Sequence, residues 1–373
     1  MSRTATILSH AAGGTGTVAA EARNWSAALE HSGFLLRRVA GAFADTMAPD
    51  DIRLTWLCDP THTPNPNELL GALDGTDLLV ADNICSANRW PTISTAVART
   101  LDRFAAAGNH GNIILRHHDL PWHRNPLQPA PSLPSPDTPT NTMPPHIEGA
   151  IHAPLNLRSR RELEARGYEH VVMVQKYFDF DVPQGDRVAT RSALGFADTD
   201  IVLWQPTKVD ERNNFAGAVR FVQALERIIP AHRIKFWCSG PVADEYQLTF
   251  DKLKSHMPIE VMVRRVANAR DAYAACDAVM FPASWDRFGT VLLESIAARK
   301  PCVISGFAAL GELEACGLKY FRADEPGELV KFLAKPSERF FDTNERRARM
   351  SFSIDQLPAA INTALRSLGM ATP

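Results

Sequence analysis

The sequence predicts an α/β protein of two doubly wound domains, each a parallel sheet covered by helices on both faces. Three observations predict it. Short apolar runs alternate with amphipathic helical windows along nearly the whole chain. The length, 373 residues, exceeds what one ordinary core takes. The rhythm is broken once, by the Asp-, Pro- and Gly-rich stretch Asp179–Arg187, and then restarts. Strands are expected in the first half at Thr4–Ser9, Phe34–Val39, Arg53–Cys58, Asp77–Ala81, Asn112–Arg116 and Val171–Gln175. In the second half they are expected at Ile201–Gln205, Ile234–Cys238, Glu260–Val263, Ala278–Phe281 and Cys302–Ser305. Between the first two strands Val18, Ala22, Trp25 and Leu29 recur at helical spacing, which predicts a helix with one buried stripe. The domains are expected at 1–183 and 184–353, with 354–373 a helix crossing back to the first.

Composition narrows the function. With 40 Lys and Arg against 42 Asp and Glu, the net charge of -2 supplies no basic field, so nucleic acid and anionic membrane surfaces are not the expected partners. Six cysteines are scattered without metal-type spacing and read as reduced core thiols of a cytoplasmic protein. Met1–His10 lacks the charged start and long apolar region of a signal peptide, and no apolar run reaches bilayer length. Pro121–Pro145 is proline-rich and predicts a loop, either mobile and ordered on binding or a plain surface insertion.

The most informative stretch is Pro282–Ser305, which reads as strand, tight turn, helix. Gly289 permits close backbone approach, and the turn from Phe288 through Thr290 presents backbone amides at a helix start, where negative charge is favoured. Glu294 lies one turn beyond Thr290 on the same helical face. Asp286 at the mouth of the turn and Glu294 on the helix suit a ligand with hydroxyls at both ends and phosphate between. A second segment follows the strand Ile201–Gln205 and carries Lys208 and Arg212, cations able to stabilise a leaving phosphate. Gly13 and Gly14 follow the first strand, and His118 and Asp119 follow Asn112–Arg116, both at strand ends where open α/β sheets bind ligands.

The Pro282–Ser305 segment resembles the signature of family 4 retaining glycosyltransferases, in which two acids separated by seven residues flank a Gly-Phe-Gly turn. Asp286 and Glu294 have that separation, with Phe288 and Gly289 in the expected places. Two residues depart from the pattern: Asp286 replaces the usual Glu, and Arg287 the first Gly. The resemblance covers nearly the whole chain, and Ala81–Ser86 and His117–Trp122 are similar to an actinobacterial-like group serving sugar-thiol and specialised-metabolite assembly. It implies the GT-B architecture of two Rossmann-like domains facing across a cleft. It implies a nucleotide diphosphate sugar, GDP- or UDP-linked, as donor, retention of anomeric configuration, and neither metal nor other cofactor; a small soluble acceptor is expected because the first helix, with Glu21, Arg23 and Glu30, has no cationic excess.

By this resemblance Lys208 and Arg212 hold the diphosphate, the amides of Phe288, Gly289 and Thr290 face sugar and phosphate, and Asp286 binds sugar hydroxyls. Glu294 binds the ribose, Gly13 and Gly14 close on the donor phosphate, and His118 lines the sugar pocket. A homodimer is left open. Three other readings stand beside this one. Gly14, Gly16 and Ala19 fit a dinucleotide fingerprint with Arg37 and Arg38 available to a 2′-phosphate, the pattern of an NADP-dependent oxidoreductase. Asp179 and Asp181 spell a metal-holding D-x-D, read as structural because a complete second domain follows. A non-catalytic nucleotide-sugar-binding protein is the third.

Overall fold

The computed structural model describes residues 3–14, 17–86, 90–109, 111–123, 143–230, 233–257 and 259–370. The chain divides into two compact units, Met1–Tyr177 with Ile354–Pro373, and Phe178–Ser353.

The first unit is built on a six-stranded sheet of β1 (Arg3–Ala12), β2 (Phe34–Phe43), β3 (Ile52–Arg53), β4 (Leu78–Asp82), β5 (Ile113–His117) and β6 (Ile151–Pro154). All pairings are parallel and the order is β3-β2-β1-β4-β5-β6. Helices α1 (Thr17–His31), α2 (Pro66–Ala72), α3 (Pro91–Phe104) and α4 (Leu157–Glu164) connect the strands. Asn65 and Asn156 start α2 and α4 by accepting the amides of Glu68 and Ser159. The central strand β4 is buried along its whole length, as a parallel strand covered on both faces must be.

The second unit repeats this plan with β7 (Ile201–Gln205), β8 (Ile234–Cys238), β9 (Val261–Val263), β10 (Ala278–Phe281), β11 (Cys302–Ile304) and β12 (Phe321–Arg322). Its order, β9-β8-β7-β10-β11-β12, is the same winding as in the first unit. The helices are α5 (Arg187–Leu194), α6 (Phe215–Glu226), α7 (Gln247–Ser255), α8 (Ala269–Ala275), α9 (Thr290–Ala297), α10 (Leu310–Ala315), α11 (Pro326–Ala334) and α12 (Glu338–Phe352). They sandwich the sheet between two apolar clusters, one centred on Trp204, Trp237 and Phe281, the other on Phe215, Phe221 and Phe236. The last helix, α13 (Leu357–Ser367), lies in the first unit, where Leu357, Ile361, Ala364 and Leu365 pack with Trp25 and Leu29 of α1.

Several expected elements differ. The run Arg53–Cys58 holds only the end of β3, then one 3-10 turn, Thr55–Leu57. Trp56 and Leu57 are consecutive and both buried, which the alternation of a strand facing one core does not permit. Val171–Gln175 is no regular strand. It runs beside β6, with Val172 N and Val174 N donating to His152 O and Pro154 O, while β6, four residues long and too short to show a period, holds the sheet position. The stripe expected on α1 is half right: Trp25 and Leu29 are buried, but Val18 is 40% exposed and Glu21 is buried at 5%. Most of the proline-rich loop, 124–142, and Gly16 lie outside the described residues.

Candidate functional site

In the second unit the winding reverses between β7 and β10, and a crevice for ligands opens beyond the carboxyl ends of strands at such a point. Residues 206–214 leave β7 there, and 282–289 leave β10. The two segments are tied by backbone: Ser284 donates through N and Oγ to Arg212 O at 3.1 and 3.0 Å, and Asn214 Nδ2 donates to Pro282 O at 2.9 Å. Asn214 holds a left-handed conformation at φ 53° while its Oδ1 accepts Gly217 N, so one residue both starts α6 and grips the neighbouring segment. Arg212 extends its guanidinium over the Trp285 ring, 3.6 Å from the centroid, with Arg287 at 5.9 Å. Lys208 is exposed on the same segment. The fold thus brings Lys208 and Arg212 to the edge that holds the Asp286–Glu294 turn.

Within that turn Asp286 Oδ1 accepts from both Phe288 N, at 2.9 Å, and Gly289 N. Two of the three amides expected to face a ligand therefore serve an internal carboxylate. Gly289 is at φ +84°, and a Cβ there would fall 2.5 Å from Leu313 Cδ1, so no other residue fits without displacement. Phe288 is buried edge-on against Phe352, and Thr290 begins α9. One turn on, Glu294 Oε2 accepts the Tyr273 hydroxyl at 2.7 Å. Burial and the Glu294 charge hold the Tyr273 proton well above its ordinary range, so the phenol stays a donor and orients the carboxylate.

The first unit has its own reversal, between β1 and β4. Gly13 and Gly14 follow β1 at φ +75° and +86°; a Cβ on Gly13 would lie 2.4 Å from Asp45 Cγ, so packing against the chain leaving β2 already demands glycine there. Arg38 is held by Asp45 and Asp51, and Arg37 donates to the carbonyls of Ala72 and Asp74. The cations required by the dinucleotide reading are thereby committed inside the unit. Beyond β5, His118 Nε2 lies 2.7 Å from Asp82 Oδ1, and Asn83, left-handed at φ 57° after β4, accepts the His118 and Asp119 amides at 3.1 and 3.3 Å.

Behind His118 runs a buried charge chain. Arg116 on β5 pairs with Asp82 at 3.2 Å and with Glu21 of α1, and Glu21 takes Lys176 at 3.0 Å. Burial alone would raise the Asp82 carboxyl, but the charge of Arg116 and the hydrogen bonds from His118 and Arg116 outweigh it and hold it at about 2. Burial likewise opposes the Glu21 charge, and Lys176 and Arg116 overcome it. Glu21, Asp82, Arg116 and Lys176 were not anticipated as a group. The available signal was an arginine inside the apolar run of β5 and an aspartate closing that of β4.

Alongside lies a buried chain of Ser86, His117 and His152, with Ser86 Oγ 2.7 Å from His117 Nδ1 and His117 Nε2 2.9 Å from His152 Nδ1. Burial pushes His117 down to about 3 and His152 well below its ordinary value. Unfolding returns both rings to about 6.5, so between that pH and about 3 the unfolded state binds more protons. Stability is therefore expected to rise with pH across this window through His117, with His152 acting in the same direction. Urea midpoints between pH 7 and 5 check this, with His117→Asn expected to flatten the dependence.

Asp181 pairs with Arg349 at 2.8 Å, and Asp179 Oδ1 accepts Asp181 N, so both acids of the D-x-D have partners at the start of the second unit. Among the described residues no group of three or more His, Cys, Asp or Glu could hold a metal ion, and no helix is long and apolar enough to cross a membrane.

Residues 210–334, in the second unit, match the family described as Glycosyl transferases group 1. Mannosylglucosylglycerate synthase of Thermotoga maritima is 26% identical over 292 residues, which cover 72% of this chain and 66% of that relative's length. Solved structures of the same fold include a glycosyltransferase from Rickettsia africae (10% identity, full coverage of both chains, TM-score 0.71). Anabaena HepE in complex with UDP (14% identity, 98% of this chain and 100% of that one, TM-score 0.69) is another. Sucrose-phosphate synthase of Thermosynechococcus elongatus matches with 12% identity over 98% and 99% of the chains, at TM-score 0.67. The fold is that of GT-B glycosyltransferases.

Proposed function

We propose that this chain is a retaining, metal-independent glycosyltransferase that moves a sugar from a GDP- or UDP-linked donor to a small soluble acceptor. The observation that carries the reading is the joining of the Lys208–Arg212 segment to the Asp286–Glu294 turn at the reversal of the second sheet. Lys208 and Arg212 hold the diphosphate and stabilise the charge that grows on it as the glycosidic bond breaks. The leaving phosphate takes the acceptor proton on the same face, so protein groups orient and stabilise rather than form bonds. Glu294, aimed by Tyr273, receives the ribose hydroxyls. Asp286 meets the sugar with the oxygen that the turn amides do not use, Gly13 and Gly14 close on the donor phosphate, and His118 holds a sugar hydroxyl. Structural neighbours solved with UDP and with UDP-glucose support a nucleotide diphosphate sugar donor, and mannosylglucosylglycerate synthase among the relatives supports a small acceptor.

The test is turnover. A panel of GDP- and UDP-sugars is offered with small hydroxylated acceptors, and the anomeric configuration of the product is read by NMR. Activity is expected to survive EDTA; complete loss restored by manganese would overturn the metal-free assignment. Glu294→Ala is expected to weaken nucleotide diphosphate binding by about 1.5–3 kcal/mol, the range for a hydrogen bond to a charged group. Calorimetry with the folded variant checks it, and unchanged affinity would remove Glu294 from the site.

A further inference from the structure

We propose that Asp82 is a positioning residue that fixes His118 as the tautomer protonated on Nε2, leaving Nδ1 to accept a substrate hydroxyl, and that Arg116 and Glu21 hold Asp82 to this task. The inference rests on the sugar transfer proposed above and assigns it residues that the family resemblance did not supply.

The argument begins with the acid. Asp82 ends β4, is buried, and shares Oδ1 between His118 Nε2 at 2.7 Å and Arg116 at 3.2 Å. A carboxylate held ionised only accepts, so the hydrogen in the His118 contact sits on Nε2. Nδ1 of the same ring then carries a lone pair, and no partner for it is present among the described residues. The main chain is fixed as well, because the Asn83 side chain accepts the His118 amide. Ring and backbone are thus locked by separate bonds, the arrangement that positions a functional group before substrate arrives.

The rest of the chain explains why Asp82 stays charged in a dry place. Arg116 sits between Asp82 and Glu21 with its guanidinium 4.8 Å from the Trp25 ring, and Glu21 turns its other oxygen to Lys176. Two acids face two fixed cations, so the cluster balances with no charge required of His118.

The experiment uses the full chain with 15N-histidine labelling, the His118 signals being assigned by their loss in His118→Gln. Two-bond 1H–15N spectra of the unsubstituted protein should show His118 protonated on Nε2; protonation on Nδ1 would overturn the proposal without any variant. Asp82→Asn, nearly isosteric, should shift the ring toward the Nδ1-protonated form and lower kcat by about a hundredfold or more, as a wrong tautomer does in other histidine sites. The donor KM should stay within about threefold. Glu21→Gln, which leaves Asp82 in place, should give the same changes in milder form, about tenfold in kcat. Retained tautomer with kcat lost only in proportion to the unfolded fraction would reduce Asp82 to a structural partner. A shifted tautomer with unchanged kcat would overturn the role of Nδ1. If no donor is turned over by the unsubstituted protein, it is the sugar-transfer reading that fails, while the tautomer spectra still decide the geometry.

Discussion

Arg116→Met should cost about 3–5 kcal/mol of folding stability at pH 7, the effect of removing one partner from a buried ion pair. Methionine fills much of the same volume, so the loss is electrostatic rather than a cavity. Among the described residues, Asp82 is left with no guanidinium and Glu21 with Lys176 as its remaining cation. The pH dependence separates this from poor packing. In the unsubstituted protein Asp82 is held near 2, below the ordinary 3.8, so its contribution is fully present above about 3.8 and is lost as pH falls through about 2. In Arg116→Met the stranded carboxylates gain protons more readily than in the unfolded chain, and acid relieves them. The gap between the two proteins, read from urea midpoints, should therefore narrow toward pH 4. A gap constant with pH would show that packing, not charge, was lost.

Lys208→Ala and Arg212→Ala should each lower turnover by roughly a hundredfold, the usual consequence of losing one preorganised stabiliser of developing charge. Interactions that strengthen in the transition state act on kcat, whereas uniform binding acts on the Michaelis constant. On the proposed reading both cations address one diphosphate, so the two losses should not add: its displacement by either substitution changes what the other contributes. Arg212 has a further dependence. Its guanidinium is laid on Trp285, so Trp285→Ala should reproduce part of the Arg212→Ala effect and, acting through Arg212, should likewise fail to add to Lys208→Ala. Normal turnover in Lys208→Ala with only a raised donor Michaelis constant would make Lys208 a docking charge and leave the stabilisation to Arg212.

The winding of both sheets was legible because parallel strands buried on both faces write themselves as continuous apolar runs, and Ile201–Gln205, Ile234–Cys238 and Ala278–Phe281 are strands with those bounds. The edge strands β3 and β12 were not, since they are two residues each and leave no period to read. Lys208, Arg212, Asp286 and Glu294 stand out because polar residues gather at strand ends and helix starts. What they touch was hidden: the Tyr273 contact joins α8 to α9, and the Asp286 side chain curls back on its own turn. The Glu21 cluster was least visible, because helical periodicity places a charge on a face but does not show that β5 brings an arginine to meet it.

The carboxylate of Asp286 sits on the Phe288 and Gly289 amides as a tethered anion. A phosphate oxygen arriving there enters by exchange rather than by addition: one acceptor leaves as another is admitted, and only the difference between them is felt as affinity. The tether gives the resident acceptor a high effective concentration against any free anion. On the proposed reading the donor is anchored at Lys208, Arg212 and Glu294 and meets Asp286 with its sugar, so the turn stays closed by its own carboxylate.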